Sequence, residues 1–426
     1  MPFAALDLHK KIVEAVVLDE HGAPCWRGRF PATRPALENF ARAHLSPQHH
    51  LALEATTNTW AVVAILEPFV AEVVVSNPLR TRAIAEAKIK TDRVDALVLA
   101  QLLRSDFLPR VWQPDPDTRH LRSVSTERAN LVADQTRLKN RIHAVLHQRL
   151  IEPPSGDLFQ PTSRAWLQRL DLDPLGRQTL DRHLRQLARL QEELAALTDQ
   201  QAVEAHADPR TRLLMTLPGV DFPVAQTLLA ALGQIDRFPS ADRAAAYLGL
   251  VPSTHQSAAH CYHGRITKQG NSHARWMLVQ AAQSLARHPG PLGVFFRRLQ
   301  KKKNRNVAVV ATARKLVTIA WHMLRHNEPY RYAQPATLDA KFSRLRVRAT
   351  GKRKRTAPPK GSPRAAAYGT GKRTRAVPSL DQVYSAAALP ALPAAANGER
   401  RMLEQSGTAP FAEQIRKPKR VPRPSA

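Results

Sequence analysis

Lys88-Ile-Lys-Thr-Asp-Arg-Val-Asp-Ala96 sets two carboxylates, Asp92 and Asp95, three residues apart at what reads as the start of a helix. Residues at that spacing share one helical face. Two carboxylates a few ångströms apart repel each other by roughly 4 kcal/mol at an effective dielectric of about 20, so a divalent cation is the partner that makes such a pair favourable. Capping explains the same residues without a metal, with Asp92 or Thr91 as N-cap and Asp95 as the acidic third residue of a capping box. The choice rests on whether the chain brings further acids to the same place.

Upstream, residues 3–8, 11–19 and a run near Trp26 to Phe30 are β-prone and read as a three-strand meander. Arg34 to Leu45 has helical periodicity, His50 to Ala55 reads as a buried strand, Thr59 to Phe69 as a helix and Ala71 to Ser76 as a further strand. Helical patterns follow over Leu79 to Glu86 and Asp92 to Ser105. This order resembles an RNase H-like α/β domain, a fold that places metal carboxylates on its first strand, at the end of its fourth and on a late helix. Those places here hold Asp7, Glu54 and the Asp92/Asp95 pair. An acid inside an apolar strand is costly unless paired or metal-bound. Four acids in this arrangement suit two-metal phosphoryl transfer, in which carboxylates hold Mg²⁺ or Mn²⁺ ions that clamp the attacking and leaving oxygens.

The chain has 426 residues, 43% of them hydrophobic, and 64 Lys and Arg against 35 Asp and Glu leave a net charge of +29. That surplus points to a polyanion. A membrane fits poorly, because the apolar segment Ala61 to Val75 is interrupted by Glu67, Pro68 and Glu72. The first residues lack the pattern of a signal peptide, and two cysteines, Cys25 and Cys261, make no disulfide framework. The expectation is a cytoplasmic, nucleoid-associated protein that binds nucleic acid.

Further along, Val124, Leu131, Leu138 and Val145 recur every seven residues, and Leu180, Leu184, Leu187, Leu194 and Leu197 form a second run beyond a Pro153-Pro-Ser-Gly156 break. These predict two long helices that pack as a hairpin or dimerise. Lys139 and Arg141 on the first are candidate phosphate contacts. Leu214-Met-Thr-Leu-Pro-Gly-Val220 places a Pro-Gly turn between two helices and resembles a helix-hairpin-helix, whose turn amides and following helix N-terminus face a phosphate. The polar stretch Leu250–Asn271 carries Gly264 and Gly270 for close backbone approach, with Arg265, Lys268, Asn271 and Arg275 as candidate nucleic-acid contacts. His255, His260, Cys261 and His263 lack the two separated pairs of a zinc site.

Taken together, Leu6-Asp7-Leu-His-Lys10, Leu53-Glu54-Ala-Thr56, Lys90-Thr-Asp92-Arg-Val-Asp95-Ala96, Thr216-Leu-Pro-Gly-Val220, Arg237-Phe238, Gly249-Leu-Val-Pro252, Gln256-Ser257 and Gly264–Asn271 resemble, in that order, the RuvC-like DEDD transposases of the insertion-sequence one-ten group, also described as bridge-RNA-guided recombinases. The resemblance spans about residues 3–325. It implies a RuvC-like DEDD metal-binding domain over 1–112, a coiled-coil connector over 113–204 and a mainly α-helical transposase domain over 205–328. It further implies Asp7, Glu54, Asp92 and Asp95 as metal ligands, Ser257 as the nucleophile that attacks DNA, and Mg²⁺ or Mn²⁺ as cofactor. Its implied partners are the double-stranded DNA of element ends and target, a noncoding guide RNA and further copies of the chain in a dimer or tetramer. Ala258 departs from the glycine usual after that serine. A serine hydroxyl is a weak nucleophile until a base or metal activates it. Two other readings stay open: a RuvC-like nuclease using metal-activated water, and a transposase remnant that only binds nucleic acid. The tail over 329–426, rich in Ala, Pro, Lys and Arg, holds more than half of the surplus charge from Lys341 onward and is expected to be mostly disordered.

Overall fold

The computed structural model describes residues 1–84, 92–257, 260–352 and 374–422. The chain divides into two compact units, Met1–Pro114 and Asp115–Ala426. In the first, β1 (Phe3–Leu8), β2 (Ile12–Leu18), β3 (Pro24–Pro31), β4 (His50–Glu54) and β5 (Glu72–Ser76) form a sheet of order β3-β2-β1-β4-β5. β1 is central, antiparallel to β2 and parallel to β4, which is in turn parallel to β5. Side chains alternate between faces along each strand. Ala4, Leu6, Val13, Leu51 and Leu53 therefore pack beneath α1 (Arg34–His44) and α2 (Thr59–Leu66), while Ala5, Val16, Ala52 and Val74 pack against α4 (Asp92–Arg104) on the opposite face. Helix α4 meets the sheet through Ala96, Leu99, Ala100 and Leu103, all buried at helical spacing. Between β5 and α4 lies α3 (Pro78–Ile84). The helix expected over Leu79 to Glu86 is seen to Ile84; residues 85–91 lie outside the described residues.

The second unit opens with α5 (Pro116–His147), started by Asp115, whose carboxylate accepts the Thr118 N–H at 2.8 Å. Helix α7 (Pro174–Ala207) packs back on α5 within the same chain, with α6 (Pro161–Arg169) between them in sequence. Leu138, Val145, Leu180 and Leu187 from the two heptad runs share one buried cluster. Beyond come α8 (Pro209–Met215), α9 (Phe222–Leu232), α10 (Ala241–Tyr247), a hairpin of β6 (Pro252–Ser257) and β7 (His260–Ile266), α11 (Ser272–Ser284), α12 (Pro291–Lys302) and α13 (Arg305–His326). By length and composition alone α13 passes as a membrane span, a candidate that the sequence reading overlooked. It is instead a core helix, with Ala308, Val309, Ala313, Leu316, Val317, Ala320 and Trp321 buried.

The expectation of a mostly disordered tail is corrected for the described part of it. Helix α14 (Pro335–Thr350) is followed by β8 (Thr374–Val377), α15 (Leu380–Ala386), α16 (Asn397–Gln405), α17 (Ala409–Gln414) and β9 (Lys419–Pro422), with β8 and β9 paired antiparallel. Leu380, Val383, Tyr384 and Ile415 enter the same core as Trp321 and Tyr330. A capping box between Ser379 and Gln382 starts α15. The apolar residues that anchor this segment are few, and an average over the basic tail conceals them. Among the residues set aside as disordered, 353–373 and 423–426 lie outside the described residues.

His288 sits in this core at 7% exposure, and its Nδ1 accepts the Gly290 N–H at 3.1 Å. Burial, aided by the Lys341 and Arg297 charges, pushes its pKa down to about 4. Unfolded histidine titrates near 6.5, so between these values the unfolded chain binds the extra proton and the fold loses stability as pH falls; the full loss is roughly 3 kcal/mol. Urea unfolding at pH 7 and pH about 4.5 should show the second unit losing about 2–3 kcal/mol in the native chain. In His288→Gln most of that difference should disappear.

Candidate functional site

The acids of the first unit meet through sheet register. Leu6 on β1 pairs with Leu53 on β4, so one step further the parallel strands end with Asp7 beside Glu54. Both continue the face that carries Ala5 and Ala52, the face covered by α4. On the other side of β1, Asp7 pairs with Glu14 of β2, and Glu14 with Arg29 of β3. A row Arg29, Glu14, Asp7, Glu54 and Ser76 therefore crosses the sheet at one level. Glu14 is only 6% exposed and forms an ion pair with Arg29. The Asp7 carboxylate is largely covered and lies 3.2 Å from His9 Nε2.

Helix α4 brings its first turn toward the same face. Asp95 is partly buried one turn before Leu99, on the flank of the stripe that packs on the sheet. Asp92 is the first residue of α4, and its side chain lies outside the described residues. Among the described residues no group of three or more His, Cys, Asp or Glu side chains closes on a single point. The donors fit a hard divalent cation by their chemistry: carboxylate oxygens suit Mg²⁺ or Mn²⁺, and directly opposed strand residues have Cβ atoms roughly 5 Å apart, so the row repels itself unless countercharged. Arg29 supplies part of that countercharge in the protein itself. Sequence reading missed Glu14, although its setting, a lone acid inside Ile12-Val-Glu-Ala-Val-Val-Leu18, carries the same signal that marked Asp7.

In the second unit Ser257 is the last residue of β6, in register with His260 of β7. Its side chain lies outside the described residues, as does residue 258, so the expectations for the serine's surroundings and for Ala258 fall there. The base of the hairpin is tightly built. Gly249 and Gly270 have φ of 66° and 69°, and a Cβ on Gly270 would lie 2.0 Å from the Tyr247 carbonyl oxygen. Two expected nucleic-acid contacts are used here internally. Asn271 caps α11 by accepting the Ala274 N–H at 2.9 Å, and Arg275 Nη1 donates to the Leu248 and Gln269 carbonyls at 3.0 and 2.9 Å. Arg265 and Lys268 are exposed beside them. On α5, Arg141 is exposed, while Lys139 Nζ lies 4.9 Å from the Phe159 ring centroid.

The Pro-Gly turn joins α8 to α9, and Asp221 begins α9 by accepting the Phe222 N–H at 2.9 Å. Gly219 has φ of 78° and backs onto α11, where a Cβ would lie 2.5 Å from the Ala281 carbonyl oxygen. Lys341 of α14 reaches this turn from the tail. Its Nζ donates to the carbonyls of Met215, Leu217 and Val220 at 2.9, 2.9 and 2.7 Å, and burial brings its pKa down to about 8. A cavity of about 370 Å³ adjoins the turn, lined in part by Gly219, Asp221, Arg287 and Lys341. Nothing in the sequence distinguishes Lys341 from the other cations of the tail.

Comparison with known proteins places these two regions. A family model described as a transposase matches residues 4–151, and a second, described as the transposase IS116/IS110/IS902 family, matches residues 211–295. The acid row and the turn-hairpin region thus each fall within a transposase match. The segments 4–151 and 211–295 are each similar to transposases, the second to those of the IS116/IS110/IS902 family. The chain is 31% identical to the putative transposase y4qE of Sinorhizobium fredii over 48% of this chain and spans half of that protein's length. It is 28% identical to a pilin gene-inverting protein of Moraxella bovis, over 66% of this chain and 81% of the relative. Identity to the transposase for insertion sequence element IS1328 of Yersinia enterocolitica is 26%, over 74% and 94%.

Arg275→Ala removes a charged donor from two carbonyls at the foot of the hairpin, and should lower the stability of the folded chain by roughly 1.5–3 kcal/mol. Arg265→Ala, at an exposed position, should leave stability within about 0.5 kcal/mol. Paired chemical-denaturation curves check both, and equal effects would contradict the internal role of Arg275.

Proposed function

We propose that this chain is a divalent-metal-dependent DNA recombinase that cuts and rejoins strands through a covalent serine–DNA phosphodiester. The observation that carries the reading is the in-register pair Asp7 and Glu54 at the ends of parallel strands, on the face where α4 brings Asp95. The strand order β3-β2-β1-β4-β5 around them supports an RNase H-like, RuvC-like classification of this sheet. Asp7, Glu54, Asp92 and Asp95 would hold Mg²⁺ or Mn²⁺, which supplies positive charge to the phosphate oxygens and lowers the basicity of the attacking hydroxyl.

Ser257 is the attacking group. Its Oγ forms a new P–O bond as the bond from phosphorus to the leaving deoxyribose oxygen breaks; the serine proton goes to solvent, and the leaving oxygen takes up a proton. Rejoining runs the same exchange with the hydroxyl of a second strand, so the phosphodiester bond is conserved at each step. The Moraxella bovis relative is named for gene inversion, a strand exchange between two sites, and this supports recombination over plain hydrolysis. Element-end and target DNA are the substrates. A noncoding guide RNA that pairs with both, and a dimer or tetramer whose subunits share active sites, complete the reading. The charge of +29 supports polyanion binding, and the exposed Arg265, Lys268 and Arg141 are the contacts we assign to phosphates.

The direct test incubates the full chain with element-end DNA, its candidate noncoding RNA and Mg²⁺, then looks for protein that stays attached to DNA in detergent. The native chain should give the adduct, and Ser257→Ala and Asp95→Asn should give neither adduct nor strand exchange. Cleavage without an adduct would replace the serine by water, and an adduct in Ser257→Ala would move the nucleophile elsewhere.

A further inference from the structure

Two histidines stand one helical turn apart at the C-terminal end of α13. His322 and His326 are i and i+4 in that helix, a spacing that puts side chains on one face with Cβ atoms about 5–6 Å apart. Both residues are exposed, and their rings lie almost parallel, with 12° between planes and 6.0 Å between centroids. The helix beneath them is fixed by the core through Leu316, Val317, Ala320 and Met323. Trp321 holds one member of the pair. Its indole N–H donates to the Phe238 carbonyl at 3.2 Å, and its ring meets that of His322 edge-on at 4.9 Å. Among the described residues no hydrogen bond occupies either imidazole. Unused ring nitrogens are thus presented from a backbone that is already in place.

We propose that His322 and His326 form a two-point site for a divalent transition metal of the zinc class, which braces the junction between α13 and the C-terminal segment. Imidazole nitrogen suits Zn²⁺, Ni²⁺ and Cu²⁺, whereas Mg²⁺ takes oxygen. Two nitrogens bound to one tetrahedral Zn²⁺ at about 2.0–2.1 Å lie roughly 3.4 Å apart. Turning two rings whose centroids are 6.0 Å apart reaches that separation without moving the helix, because the second side-chain torsion of histidine is soft. Water fills the remaining positions on this exposed face. Nearby cations oppose a metal, but each is paired: Arg325 with Asp236, and Arg331 with Glu328 at 3.6 Å and Glu399 at 3.4 Å. The last carbonyls of α13 add partial negative charge at the same end. A cavity of about 320 Å³ is lined by both histidines and by Glu328, Arg331 and Tyr332, which lead from α13 into the tail. Tyr332 donates its hydroxyl to Glu399 of α16, and Arg331 donates to the Pro393 carbonyl at 2.8 Å. An ion that clamps the last turn of α13 steadies the helix end from which that docking starts.

The site shares no residue with the proposed strand exchange, so it is tested apart from it. The full chain, freed of metal by a chelator, is titrated with ZnCl₂ or MgCl₂. Modification of His322 and His326 by diethyl pyrocarbonate is read residue by residue by mass spectrometry. With zinc at about ten times its dissociation constant roughly nine-tenths of the sites are filled, so modification of both should fall about tenfold, and Mg²⁺ should leave it unchanged. A ligand that spans one turn binds the folded helix in preference to the unfolded chain, so zinc should also raise the melting temperature by about 2 °C. His322→Gln and His326→Gln, both exposed substitutions, should melt like the native chain without metal and should each lose most of that rise. Undiminished modification of both histidines at millimolar zinc overturns the proposal even where melting rises, because the ion then sits elsewhere. A zinc-dependent rise that both folded variants keep overturns it as well. If neither variant folds, the modification of the native chain decides alone.

Discussion

Register between two parallel strands is the constraint on which the first unit's chemistry depends. A slip of one residue between β1 and β4 would move Glu54 to the opposite face and part it from Asp7. The register is held by apolar residues on both faces, Leu6 and Leu53 toward one helical layer and Ala5 and Ala52 toward α4. On the α4 side, the small Ala5 and Ala52 pack in one cluster with Ala96 and Ala100 of that helix. Burial of ordinary core residues thus sets the spacing of charged groups that repel one another. The same packing resists that repulsion, with Arg29 offsetting part of it.

The second unit solves a different problem. Its hairpin and its Pro-Gly turn are irregular backbone, and each is fixed by cations that donate to main-chain oxygens: Arg275 beneath the hairpin, Lys341 behind the turn. The basic surplus is therefore not all at the surface: Arg265 and Arg141 are exposed, whereas Arg275 and Lys341 hold irregular backbone in place.

Much of the first unit was legible in the sequence because strands with period-two burial and amphipathic helices leave strong patterns, and an acid in an apolar strand stands out. Asp7 and Glu54 stand out that way, and so does Glu14 of β2 by the same criterion. The tail was misread for a physical reason. Leu380, Val383 and Tyr384 form one short apolar face, and a face of three residues disappears in the average composition of a basic, Ala- and Pro-rich segment. The capping bond of Asn271 and the carbonyl contacts of Arg275 could not be read from the sequence, because cap residues and phosphate contacts use the same side chains and spacing does not show the backbone beside them. Lys341 was invisible because its partners are carbonyl groups more than a hundred residues earlier in the chain.

The central claim is that Asp7 and Glu54 belong to one divalent-metal site, and counting bound Mn²⁺ on the full chain by electron paramagnetic resonance tests it most directly. The account predicts that the native protein removes Mn²⁺ from the free pool and that Asp7→Asn and Glu54→Gln each abolish most of that uptake while circular dichroism stays native. Native uptake in both folded variants would contradict it.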